Sequence, residues 1–451
     1  MAGVILAASH AAAGPTEPPL LLGGPVAEAP HVVETDPRLP TGARIEAVLR
    51  PRATGRACSP SVPVCVHGSA QVSAAVTLAA LGALEHAYRS LVQGLRLPAP
   101  LTDFELGGGP ELDLYLAAPD RTTPGFERVR VAADALRLGG FDRASAFCSA
   151  LADDDAWLLA RAATLCVGEA IALRLDAGET PDLRRAFATE LWWLVGRPTS
   201  FDLEAVSAVQ ATPSAAIAAR ERSAASEGRA IFLEYLEEKL GTGTPGELST
   251  ALITASVQTT PADALTFRNE PDWFDVIRHT LGESEAKMAN LLGDFAVARA
   301  FLGEREDGRH LPSLAWTSGF GTAHFDWTIP FKSLPRRVRL TPLEPTGAAL
   351  VWLDLAGAPQ GFTLGMRAEW EPPGEFQWLL VTVGKNGELT RLEVPFQERE
   401  TLAEARLVNV HDARGVLAVG THLERVDADH PFDPDVAPFE PHGASLYLVE
   451  L

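Results

Sequence analysis

The chain has 451 residues, 46% hydrophobic and 22% charged, enough to build a packed core and, at ~150 residues per domain, two or three domains. Its 38 Lys+Arg against 59 Asp+Glu leave a net charge of -21, which weighs against nucleic acid and anionic membrane as partners, because both are polyanions.

The start, MAGVILAASHAAAG, carries a short apolar run and a small-residue Ala11-Ala12-Ala13 site but no basic n-region, and it reads as an export-signal remnant. Residues 1–42 are rich in Pro, Gly and Ala and read as a linker without a core. Cys58 with Cys65, and Cys148 with Cys166, form two local pairs, which predicts two disulfides in an exported chain.

Residues 62–67 and 111–117 (ELDLYLA) read as strands, with Leu112, Leu114 and Leu116 on one side of the second. A short strand is expected over 127–132 and an amphipathic helix over 69–96. From about 143 to 305 the pattern predicts helix, with segments at 157–176, 181–195, 213–240, 271–282 and 284–302. Beyond 310 the period falls to two. Nine short strand candidates there predict an antiparallel β-sandwich, with Lys385-Asn386-Gly387 as a hairpin turn. The fold class is α+β: a mainly helical domain over 43–305, then a sandwich over 310–451. No run of about 18 uncharged apolar residues is present, so no membrane span is expected.

Residues 157–176 (WLLARAATLCVGEAIALRLD) are apolar almost all round, which suits a helix buried on most sides. Glu169 stands alone in their middle, and a buried acid is costly without a partner. Zinc peptidases use H-E-x-x-H on a helix: two imidazoles one turn apart hold the metal, and the Glu activates its water. Here Glu169 takes the place of the base, while Gly168 and Ala172 stand where the histidines belong. Further on, Glu227 shares a helical face with Ile231 and Tyr235, which turns it toward the core.

Several segments in this order resemble secreted bacterial gluzincin-like metalloproteases of the myxobacterial type: the helix over 75–92, the LDLYL strand, GEAIA, Glu227-Gly228 and the closing sandwich. The resemblance implies a zincin-like helical domain, with Glu169 as the catalytic base and Glu227 as the third zinc ligand. Both zinc histidines are absent, so a tetrahedral catalytic zinc lacks two of its three protein ligands. Glu169 and Glu227 are then vestigial site residues and zinc is not expected. They are expected to approach each other or to share a basic partner, with Arg161, Arg184 and Arg185 as candidates.

Other chemistry is sparse. Gly82 replaces the first His of an inverted H-x-x-E-H ending at His86; His279 with Glu283 reads as a solvated pair; His310 and His324 are isolated. No G-x-S-x-G nucleophile and no phosphate loop is present. The oxygen-rich loop 427–442 offers a calcium site or a solvated turn. Trp316, Trp327, Trp352, Trp370 and Trp378 offer a sugar platform or sandwich core. Three readings follow: a non-catalytic metallopeptidase-like exported protein that binds a protein or peptide, a carbohydrate- or surface-binding protein working through the sandwich, and a hydrolase using Glu169 and Glu227 as an acid–base pair.

Overall fold

The structure is a computed structural model. It describes residues 21–23 and 50–451, apart from 104, 121, 138–139, 154, 178, 218–222, 245, 257–272, 385–386, 388, 395–400 and 424–439. The fold is α+β. Strands β1 (Leu21–Gly23), β2 (Gly55–Cys58), β3 (Val64–Gly68), β4 (Leu112–Ala117), β5 (Val129–Arg137) and β6 (Gly140–Leu151) form one six-stranded sheet ordered β1-β2-β3-β4-β6-β5. The β3–β4 and β4–β6 pairs are parallel, the former crossing over through α1 (Ala74–Tyr88); the β1–β2, β2–β3 and β5–β6 pairs are antiparallel.

Two expectations are corrected here. Residues 143–151 belong to β6, not to a helix. Their many alanines favour helix, but they alternate: Ala144, Ala146, Cys148 and Ala150 join the main core while Phe147 faces the other way. Within the stretch read as linker, Leu21–Gly23 pairs with Gly55–Cys58.

Helices α2 (Ala156–Leu175), α3 (Pro181–Val195), α4 (Ser200–Ala211), α5 (Ala224–Gly228), α6 (Ala230–Leu240), α7 (Glu247–Ser256), α8 (Trp273–Thr280) and α9 (Glu285–Ala300) follow. The single helix expected over 213–240 is interrupted. Residues 213–217 lie outside any helix, and the chain turns at Arg229 between α5 and α6. Helices α4 and α7 were not anticipated, because their short apolar stripes are mixed with Ser, Thr and Asp.

Helix α2 is the axis of this half. Its N-cap, Asp155, accepts a hydrogen bond from the Trp157 amide at 2.7 Å. Among the described helices it alone is long and apolar enough to cross a membrane, but 78% of its most apolar window is buried inside the protein. It packs between the sheet, α1 and α3. The Cys148–Cys166 disulfide pins it to β6, and Cys58–Cys65 joins directly opposed residues of β2 and β3. Two disulfides fit an oxidising, exported setting.

Strands β7 (Trp327–Pro330), β8 (Arg336–Arg339), β9 (Ala348–Asp354), β10 (Leu364–Trp370), β11 (Phe376–Gly384), β12 (Leu389–Glu393), β13 (Leu402–Leu407), β14 (Ala413–His422) and β15 (Ala444–Glu450) form two sheets, ordered β13-β10-β15-β8 and β12-β11-β14-β9-β7. Their inner faces share one core containing Val351, Leu353, Met366, Trp378, Leu380 and Leu446. The pairing is antiparallel except at β7, which joins β9 in parallel. Helix α9 covers the outer face of the five-stranded sheet, where Ala296, Val297 and Ala300 meet Leu350, Leu379 and Leu417. Among the described residues, no helix covers the outer face of the four-stranded sheet.

Candidate functional site

Glu169 and Glu227 meet at one arginine. On α3, Arg185 places Nε 2.6 Å from Glu169 Oε1 and Nη1 3.7 Å from Glu227 Oε1. Its Nη2 donates to the Val129 carbonyl of β5 at 2.6 Å. A second arginine, Arg161 on α2, places Nη2 2.6 Å from Glu227 Oε2 and Nε 3.1 Å from Asp202 Oδ1. The five side chains form an unbroken chain of alternating charge, Glu169–Arg185–Glu227–Arg161–Asp202, and all are buried. Asp202 is also held by the Trp192 and Trp193 indoles and by Thr199, in a capping box that starts α4. Burial alone would loosen the Arg161 proton, but Glu227 and Asp202 outweigh it and raise its pKa above the ordinary arginine value.

The expectation of a shared basic partner is met by Arg185, with Arg161 on Glu227 alone. Arg184 points elsewhere, donating to the Ala177 and Glu179 carbonyls.

Two close helix crossings set this arrangement. A Cβ on Gly168 would lie 2.9 Å from Ala188 Cβ and 3.0 Å from Ala188 Cα, so α3 rests directly on α2 at Gly168. Ala172 is wholly buried one turn later. A Cβ on Gly228 would lie 2.1 Å from the Ala205 carbonyl oxygen, so α5 is pressed onto α4 just after Glu227. Glycine at both points permits the approach that brings α2, α3, α4 and α5 around the two arginines. Glu169 and Glu227 are both buried against arginine.

Other anticipated residues scatter. Trp370 and Trp378 are sandwich core, Trp316 packs on Trp193, and Trp327 is 38% exposed. His279 and Glu283 form an exposed pair at 3.2 Å. His310 is bound to Asp307 and stacks on Phe301. Most of the loop 427–442 lies outside the described residues; His442 is described and packs against His422. Among the described residues, no group of three or more His, Cys, Asp or Glu side chains is placed to hold a metal.

Two clusters escaped the sequence. On the sheet face away from the helices, Arg50 Nη2 contacts Asp103 at 2.8 Å and Asp134 at 2.6 Å, and its Nη1 contacts Asp113. His67 Nε2 lies 2.7 Å from Asp113 Oδ1 and its ring stacks on Tyr115. Burial, against the attraction of Arg50, pushes the Asp103 carboxyl up to about 6. The signal was present: in LDLYL the leucines face the helices, so Asp113 and Tyr115 must share the opposite face. In the helical half, Glu190 accepts from Ser249 Oγ at 2.8 Å; burial and then nearby Glu234 push it well above the usual carboxyl range. Burial likewise pushes Glu234 up to about 7.

An open cavity of about 380 Å³ lies where the end of α9 meets the five-stranded sheet, walled by Phe301, Arg305, Phe325, Trp352, Val383 and Arg414. Arg305 sits 4.0 Å over the Phe325 ring.

No family model matches the chain, and no curated protein matches it. Among the solved structures that resemble parts of it are two distant ones. The pre-peptidase C-terminal domain of collagenase from Bacillus anthracis is 8% identical, with a TM-score of 0.20 over 28% of this chain and 98% of that one. The VP2 subviral particle of infectious bursal disease virus is 9% identical, with a TM-score of 0.15 over 26% of this chain and 33% of that one. Likenesses this slight carry no argument about fold or activity.

Proposed function

We propose that this chain is a non-catalytic, metallopeptidase-like exported protein that binds a protein or peptide. One observation carries the reading: the guanidinium of Arg185 stands against both Glu169 and Glu227. In a gluzincin a zinc ion would face the corresponding acids. Here a fixed organic cation supplies the positive charge, and the tight Gly168–Ala188 crossing takes the space an imidazole would need. The resemblance in element order, with the LDLYL strand, the Glu169 helix, Glu227-Gly228 and the sandwich in sequence, supports descent from that architecture. The hydrolase reading is disfavoured, because both carboxylates are buried and engaged by Arg185 rather than facing a cleft.

Because the Glu169–Glu227 locus is solid, the binding surface moves to the cavity beside α9. Its aromatic walls, rimmed by Arg305 and Arg414 together with Glu304, Glu306 and Asp307, suit an extended peptide that inserts an apolar side chain. The test uses immobilised full-length protein and fluorescent unfolded casein, reading retention and cleavage together. The expected result is retained, intact casein, with retention weakened by Trp352→Ala. Cleavage abolished by Glu169→Gln would overturn the proposal, and so would no retention at all.

A further inference from the structure

The outer face of the four-stranded sheet is an unusual place in so acidic a chain. Strand register aligns its outward side chains into rows. One row reads Arg337, Tyr447, Arg367, Glu404 across β8, β15, β10 and β13. The next reads Arg339, Ser445, Glu369, Leu402. Arg406 follows opposite Gly365. This face therefore carries four arginines (337, 339, 367, 406) against two glutamates (369, 404), within a chain of net charge -21.

The two glutamates are used within the row structure. Glu369 Oε1 accepts from Arg367 Nε at 2.8 Å and Glu369 Oε2 pairs with Arg337, while Glu404 lies 3.6 Å from Arg367. Arg339 and Arg406 are exposed, and no ion-pair partner is found for either among the described residues. At the β8 edge, Trp327 is partly exposed beneath Arg336, whose guanidinium lies 5.9 Å from its ring. No described helix covers this face, in contrast to the α9-covered sheet.

We infer that this sheet face binds a linear uronate polysaccharide. Strands lie ~4.8 Å apart, so Arg337 and Arg367 sit roughly 10 Å apart on either side of Tyr447. A sugar ring stacked by its C–H face on Tyr447 presents the carboxylates of neighbouring uronates to the two flanking guanidiniums, whose planar donors match carboxylate oxygens. Arg339 and Arg406 extend the positive charge along the strands. A uronate polymer fits better than duplex DNA. DNA carries a charge every ~1.7 Å, and the strongly acidic remainder of this protein repels so dense a polyanion. The inference is independent of the fate of Glu169 and Glu227.

The test is affinity electrophoresis of the full chain in native gels containing polygalacturonate, with neutral dextran, dextran sulfate and duplex DNA as comparators. Retardation by polygalacturonate is expected, weakening as salt rises. Arg339→Glu with Arg406→Glu removes two solvated charges and should leave the melting temperature unchanged while weakening retardation roughly tenfold or more. Tyr447→Ala, a neutral change, should weaken it as well. No retardation, retardation equal in both variants and wild type, or retardation as strong in dextran sulfate or DNA would each overturn the inference.

Discussion

Arg185 Nε sits 2.6 Å from Glu169 Oε1, a guanidinium against the one acid in an otherwise apolar helix. The same guanidinium reaches Glu227 on α5, which Arg161 also holds, so two carboxylates far apart in sequence share one cation. Removing one partner of a buried pair strands the other charge. Arg185→Ala should therefore cost about 3–5 kcal/mol. Replacing Arg185 together with its two acids, Glu169→Gln, Arg185→Met and Glu227→Gln, leaves Arg161 paired with Asp202 and should cost less than Arg185→Ala alone. Urea unfolding of the variants checks both statements. A loss below about 1 kcal/mol for Arg185→Ala would mean the acids are not relying on it.

Gly168 allows a prediction whose sign separates two effects. In a helix interior Gly→Ala stabilises by about 1 kcal/mol on propensity alone. Here the new methyl would meet Ala188 at 2.9 Å, and overpacking of this kind costs about 1–3 kcal/mol. We expect Gly168→Ala to lower the unfolding midpoint and Gly168→His to lower it further. A midpoint raised by Gly168→Ala would show that α3 is free to give way.

The buried carboxylates predict an unusual pH response. Asp103 is pushed up to about 6 and Glu234 to about 7, and Glu190 is raised as well, burial being the main cause in each. These groups hold their protons more tightly folded than unfolded. Their stabilising contribution is complete below the unfolded carboxyl range near ~4 and is lost as pH rises through about 6 and then about 7. The urea midpoint should thus be higher at pH 5 than at pH 8, and Glu234→Gln should flatten the decline. A midpoint that rises with pH, or a slope indifferent to Glu234→Gln, would contradict this.

The Cys148–Cys166 bridge spans a sequence separation of 18 and ties α2 to β6. On the chain-entropy view it contributes about 3 kcal/mol, against about 2 kcal/mol for the shorter Cys58–Cys65 loop. Cys148→Ser with Cys166→Ser should accordingly lower the melting temperature more than Cys58→Ser with Cys65→Ser, by differential scanning calorimetry. The reverse order would place the burden on the hairpin at the sheet's other side.

Much of this was legible in residues. The all-round apolarity of 157–176 announced a core helix, and the lone Glu169 required a partner. Most of the sandwich strands followed from the period of two, but the strand expected over 406–410 lies instead at Leu402–Leu407, and the one expected over 323–329 begins only at Trp327. What stayed hidden depended on pairing between distant segments. Arg185 and Arg184 are adjacent in sequence, and only the packing of α3 against α2 selects the first. Alanine-rich β6 imitated a helix because alanine favours helix, and pairing with β4 and β5 overrode that preference. Asp202 went unread together with α4, and its reception of Arg161 depends on a contact across 41 positions.

The central claim is that arginine occupies the place of a catalytic ion. Zinc content decides it most directly: full-length protein produced with zinc supplied, dialysed, and read by mass spectrometry, beside Glu227→Gln. Arginine at that position predicts zinc far below stoichiometric in both proteins. Stoichiometric zinc in the wild type that disappears with Glu227→Gln would contradict it.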